Sequence, residues 1–157
     1  MAELKRAFSS LGFKNVQTVI ASGNVLFEDP EKDRAVLTRK IEQKLSSQFK
    51  LKIAVILRTA RQISSLIKAD PFKDVKETSQ TRLLVTFLPE GQPKRSLGSI
   101  ERTFGIIQIS NREICSAFEV AEKRGTTDLM KALEKEFGKT ITTRNWNTIQ
   151  RIAKLCL

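Results

Sequence analysis

The apolar positions of this chain switch between helical and extended spacing from one end to the other. Leu4, Ala7, Phe8 and Leu11 share one face of an opening helix that Gly12 ends. Val16 to Ala21 and Asn24 to Glu28 read as paired strands. Ser22-Gly23 between them suits a tight turn, since glycine takes a positive φ without steric cost. Asp29-Pro30 is placed to start a long helix, because proline is tolerated in a first turn. Within it Leu37, Ile41, Leu45 and Phe49 recur every four residues with charges between, the stripe of a helix lying on a core. Lys52 to Leu57 is β-branched and predicts a strand. Ala60, Ile63, Leu66 and Ile67 predict a further helix, capped by Thr59 and stopped by Asp70-Pro71-Phe72.

Polar Lys73 to Gln80 is the expected boundary, with a first lobe over 1–72 and a second over 81–157. The second lobe opens on the apolar run Arg82 to Leu88, a buried strand. Ser96 to Phe104 reads as a short helix. Ile106 to Ile109 and Ile114 to Phe118 form a hairpin through Ser110-Asn111-Arg112. Lys123 to Thr127 reads as a basic loop, and Asp128, Leu129, Leu133 and Phe137 mark a helix that Gly138 ends. Strands and helices alternate in both halves, so the fold class is α/β (α+β).

Composition narrows the function. The chain has 157 residues, 40% of them hydrophobic and 29% charged, the balance of a globular protein. No apolar run is long enough to span a membrane, and the charged first helix is no signal core. A cytoplasmic protein with reduced Cys115 and Cys156 is the expectation. Histidine and tyrosine are absent, so no Ser–His–Asp triad, Cys–His pair or histidine metal site can form within this sequence. No glycine-rich phosphate loop or nucleophile elbow is present either. No cofactor or metal is expected.

The net charge of +11 favours anionic partners. It is uneven. From Gln43 to Ala69 stand six basic residues, Lys44, Lys50, Lys52, Arg58, Arg61 and Lys68, and no acid. After Glu136 stand Lys139, Arg144, Arg151 and Lys154, again with no acid. If folding joins the two windows they make one positive face; otherwise the charges merely solvate helix surfaces.

Near the C-terminus, Thr142-Thr143-Arg144-Asn145-Trp146-Asn147 holds the only tryptophan. Ile149, Ile152 and Leu155 follow at helical spacing, so the segment leads into a helix that Thr143 or Asn145 could cap. An arginine beside a helix N-terminus is an anion site in principle, though caps and packing are the commoner use of these residues. The candidate anion-binding residues are therefore Thr142, Thr143, Arg144, Asn145 and Asn147, with Lys123 and Arg124 of the basic loop. Ser22, Gly23 and Asn24 of the first turn join them.

Thr142 to Ala153 resembles the C-terminal motif of the bacterial family known as domain of unknown function 1697. Ala21-Ser22-Gly23-Asn24-Val25-Leu26-Phe27 resembles that family's hairpin, Asp70-Pro71-Phe72 a third motif, and Leu4 to Phe13 its first helix. The resemblance implies two ferredoxin-like lobes and no particular reaction. Members usually begin with a hydrophobic strand and a glycine-rich turn, whereas here Met1 leads at once into Ala2-Glu3-Leu4-Lys5. The first lobe is thus expected to be αββαβ in place of βαββαβ, with a central strand position open. Open edges invite pairing, so a homodimer is one expected partner.

Three readings follow: a non-enzymatic module binding nucleic acid or another polyanion, an enzyme gripping a small anion through Arg144, Lys123 or Arg124, and a structural or oligomerisation module. Base-stacking aromatics are not in evidence in Arg82 to Leu88.

Overall fold

The computed structural model describes residues 1–20 and 23–156. It is an α+β fold that divides into two units, Met1–Leu57 and Arg58–Leu155. The expected boundary had put the helix after Thr59 with the first lobe. It packs instead on the last helix of the chain, in the second unit.

The first unit contains α1 (Ala2–Ser10), β1 (Lys14–Val19), β2 (Asn24–Glu28) and α2 (Arg34–Phe49). Its core joins Ala7 and Phe8 of α1, Phe13, Val16 of β1, and Leu37, Ile41 and Leu45 of α2. Phe8, Phe13 and Phe27 meet ring to ring, with centroids 4.4 Å apart for the stacked pair Phe13 and Phe27. The stripe of α2 thus faces the core as its spacing requires.

Several expectations shift. β1 begins at Lys14, two residues early, and an irregularity between Lys14 and Gln17 accommodates Asn15 at φ 51°. It ends at Val19, because Ile20 turns to φ 57°. Ala21 and Ser22 lie outside the described residues. α2 starts at Arg34 rather than at Pro30, because Asp33 caps it through Oδ1, which accepts from the N–H groups of Ala35 and Val36. Asp29 and Glu31 form local turns ahead of it by accepting from the N–H groups of Glu31 and Asp33.

The largest correction is Lys52 to Leu57. It forms no strand, and among the described residues the sheet of this unit is the antiparallel pair β1–β2. Ile53, Val55 and Leu57 still pack on the core. Side chains of α2 take the place of a neighbouring strand: Ser46 Oγ accepts from the N–H of Ile53 at 3.2 Å and Glu42 Oε1 from that of Val55 at 2.8 Å.

The second unit runs α3 (Ala60–Ala69), β3 (Thr81–Phe87), α4 (Ser99–Thr103), β4 (Ile106–Ile109), β5 (Glu113–Glu119), α5 (Thr126–Phe137), β6 (Thr142–Asn145) and α6 (Trp146–Leu155). From β3 to β6 this is βαββαβ, and the sheet order β4-β5-β3-β6 puts the first strand inside, antiparallel to both neighbours. Period-two alternation sends Leu84 and Leu88 to the face covered by Leu129, Leu133 and Phe137 of α5, and Val85 and Phe87 to the other. The second face carries α6 and, beside it, α3.

Gly105 joins α4 to β4 at φ +52°, and its own carbonyl accepts the N–H of Ala117 at 2.9 Å. A Cβ there would fall 1.9 Å from the Ala117 carbonyl oxygen, so only glycine fits.

Trp146 begins α6, is 6% exposed and meets Phe72 edge to face at 5.1 Å. Together with Ile149 and Ala153 it forms the buried stripe of that helix. Truncation of Trp146 to alanine should therefore cost about 3–5 kcal/mol in chemical denaturation, the usual range for a buried aromatic. Unchanged stability would place the indole outside the core.

Candidate anion-binding face and its neighbouring cleft

The C-terminal motif is held by its own strand. Thr143 points toward α5, where its hydroxyl meets Thr86 Oγ1 at 2.7 Å and Met130 Sδ at 2.6 Å. It is therefore not the cap of α6. Arg144 is half-buried, and its Nη1 donates to Thr142 Oγ1 and, at 3.0 Å, to the carbonyl of Thr143. Burial lowers its pKa from the ordinary arginine value. Thr142, Thr143 and Arg144 thus brace an edge strand, while Asn145 and Asn147 are exposed on either side of Trp146.

The other expected residues are also committed to turns. Arg124 Nε donates to the Glu119 carbonyl at 2.8 Å, and backbone bonds in both directions join Ala121 and Arg124. Lys123 sits in that turn at φ 58°. The start of α5 is filled by its own carboxylate, Asp128 Oδ2 accepting from the Gly125 N–H at 2.8 Å. Asn24 Nδ2 donates to the Val19 carbonyl and closes the first hairpin beside Gly23, which has φ 74°. Ser22 lies outside the described residues. Within the second unit, Thr142 to Arg144 are held on β6 and Arg124 in its own turn.

The second unit gathers other cations. α3 and α6 lie side by side with Ile63, Leu66, Trp146, Ile149 and Ala153 turned inward. Their exposed positions include Arg61, Lys68, Arg151 and Lys154, separated by Ser65, Asn147 and Gln150. Neither helix contains an acid. Among the described residues none of these four cations is paired with a carboxylate. The unpaired state follows from sequence: each helix has amide and hydroxyl neighbours where a salt-bridged helix would carry Glu or Asp. Half of each acid-free window is thus joined, the 58–69 half through α3 and the C-terminal half through α6. Lys44, Lys50 and Lys52 belong to the first unit.

On the flank of α3 away from α6 a cleft of about 290 Å³ opens between that helix and the β4–β5 turn. Arg61, Ser65 and Leu66 line one side and Gln108, Arg112 and Glu113 the other. The turn is fixed from within, since Ser110 Oγ accepts the N–H groups of Arg112 and Glu113 at 3.1 and 3.0 Å. Arg58 fixes it from behind. Its Nη2 donates to the carbonyls of Leu88 and Arg112 at 2.7 Å each, its guanidinium lies 5.4 Å from the Phe87 ring centre, and Nε is 3.9 Å from Glu113 Oε2. Burial raises the pKa of Glu113 above the usual carboxylate value, and Arg58 and Arg112 pull it back down. Sequence spacing gave no sign of this cleft, because its two walls come from segments some fifty residues apart that only the sheet order brings together.

The chain belongs to a family described as protein of unknown function (DUF1697), whose profile matches residues 1–111. The match ends before Thr142, so the C-terminal motif lies beyond it. A solved structure of a conserved bacterial protein from Streptococcus pneumoniae is similar at 19% identity with a TM-score of 0.69, over 99% of this chain and 88% of that one. At that identity the likeness speaks for the fold alone. Among curated proteins none matches. Among the described residues no helix is long and apolar enough to cross a membrane.

The two thiols differ in surroundings. Cys115 is fully buried in β5, and burial followed by the nearby Glu113 charge pushes its pKa up to about 12. Cys156 is half-buried and its pKa is raised by burial alone. Alkylation of the native protein at neutral pH should therefore label Cys156 first and leave Cys115 untouched until unfolding, as read by mass spectrometry. Early labelling of Cys115 would show that β5 opens.

Proposed function

We propose that this DUF1697 member is a non-enzymatic, cytoplasmic nucleic-acid-binding module whose docking face is the outer surface of α3 and α6. The observation that carries this reading is the set Arg61, Lys68, Arg151 and Lys154 on two packed helices without an acid. Such a face attracts phosphates over long range and releases counterions on contact. The aromatic rings near it, Trp146 and Phe72, are buried against each other, so no base-stacking platform is offered. Binding through the backbone phosphates is then sequence-tolerant. The absence of histidine supports a non-enzymatic role.

Fluorescence anisotropy with a duplex oligonucleotide at several salt concentrations tests this. If all four cations neutralise phosphates, log K should fall against log salt with a slope of roughly 3–4, at about 0.9 per phosphate. Arg61→Gln together with Arg151→Gln should lower the slope by roughly 2. Arg144→Gln should leave it unchanged, because Arg144 braces β6. Binding that is absent at low salt, or indifferent to salt, contradicts the reading.

A second reading, self-association, has its own observation. Ile53-Ala54-Val55-Ile56-Leu57 is uncharged and belongs to none of the ladders among the described residues, and β2 pairs there with β1 along one edge. Natural edge strands are commonly guarded by charge or proline, and here Lys52 and Arg58 only flank the apolar run. Sedimentation equilibrium should then show a concentration-dependent dimer that exposed Ala54, replaced by lysine, weakens. A monomer at every concentration removes this reading.

A further inference from the structure

From the cleft beside α3 we infer a second ligand site, one that accepts a single nucleotide with its phosphate between Arg61 and Arg112 and an N–H-bearing base edge at Glu113. Its ligand class rests on the nucleic-acid reading, but Arg112, Glu113 and Gln108, which would hold the ligand opposite α3, are separate from the α3–α6 face.

The reasoning starts with rigidity. Arg112 is exposed, yet its backbone is held on both sides, by Ser110 Oγ at its N–H and by Arg58 Nη2 at its carbonyl. A cation on a fixed backbone loses less freedom on binding than one on a mobile loop. Arg61 stands in the first turn of α3, whose capping box fixes the helix start: Thr59 Oγ1 accepts from the Gln62 N–H and Gln62 Oε1 from the Thr59 N–H. Two guanidinium groups on opposite walls of one cleft match a phosphate, which arginine binds through paired N–H donors. The helix N-terminus adds positive potential on the same side.

A carboxylate in such a cleft would repel a bare anion. Glu113 has the Arg58 guanidinium 3.9 Å behind it, and its carboxylate oxygens are acceptors at the cleft wall. A ligand that carries donors as well as a phosphate resolves the conflict. Cytosine and guanine amino groups donate to carboxylates, whereas uracil offers carbonyl oxygens along most of its edge. Gln108 and Ser65 offer further polar groups and Leu66 an apolar patch, a lining suited to a polar, charged ligand. The cleft's volume of about 290 Å³ suits one nucleotide and no more.

Isothermal titration calorimetry on the full chain tests this with inorganic phosphate, cytidine monophosphate, uridine monophosphate and a short duplex. Cytidine monophosphate should bind at a single saturable site and more tightly than either inorganic phosphate or uridine monophosphate. Arg112→Gln should weaken it by about tenfold or more, the loss of a charge-assisted contact. Glu113→Gln should remove the preference for cytidine over uridine while tightening inorganic phosphate several-fold, a gain that a purely structural glutamate would not produce. Lys154→Gln should weaken the duplex and leave the mononucleotide unaffected. No saturable mononucleotide binding, or binding indifferent to both Arg112→Gln and Glu113→Gln, overturns the site. Duplex binding that survives those results leaves the α3–α6 face standing, so the two claims fail separately. Unaltered melting of each variant confirms that the changes report on binding.

Discussion

Burial of β3 on both faces is the constraint on which the second unit depends. Leu84, Val85, Thr86, Phe87 and Leu88 are all buried, and the strand exchanges backbone hydrogen bonds with β5 on one edge and β6 on the other. A strand enclosed in this way must be apolar on consecutive positions, and its one polar side chain must find a partner. Thr86 does so with Thr143 of β6. That single hydroxyl pair draws the C-terminal motif into the core of the fold. Thr142 to Asn145 of the motif form this edge strand, and the helix that follows packs on α3.

The first unit shows what happens without such a strand. Its order of α1, β1, β2, α2 and an extended segment repeats the second unit's order after β3. By that internal comparison the open position lies between β2 and the 52–57 segment. The apolar faces of both still pack on Ile41 and its neighbours, so side-chain burial survives the loss of the ladder. The backbone does not manage as well. Ser46 and Glu42 satisfy two N–H groups of 52–57, and the segment stays outside any sheet of the described residues. Hydrophobic patterning therefore positions the segment, and strand pairing is a separate requirement.

Much of this fold was legible from sequence, and the misses share a cause. The stripe Leu37, Ile41, Leu45, the capped start at Thr59 and the buried run of β3 follow from local periodicity and capping chemistry. The start of α2 was misplaced because proline at 30 and aspartate at 33 both signal a helix start, and the aspartate cap with its two N–H bonds prevailed. Lys52 to Leu57 has strand propensity, but propensity cannot supply a partner. In sequence Thr143 and Asn145 are equal candidates for a helix cap, because the partners of Thr143, Thr86 and Met130, are distant along the chain. The charge windows were legible, whereas their division between units and the cleft beside Arg112 depend on which helices pack together.

The basic layer is a by-product of topology: two helices that bury Ile63, Leu66, Trp146 and Ile149 present their remaining faces together, and those faces carry cations without acids. Lysine footprinting tests this most directly. Acetylation of the protein, read peptide by peptide with and without a duplex oligonucleotide at low salt, reports each amine by itself. Lys68 and Lys154 should be protected by the oligonucleotide, while exposed Lys5, Lys32 and Lys94 react at unchanged rates. Protection that spares Lys68 and Lys154, or that falls equally on every exposed lysine, would contradict a docking face on α3 and α6.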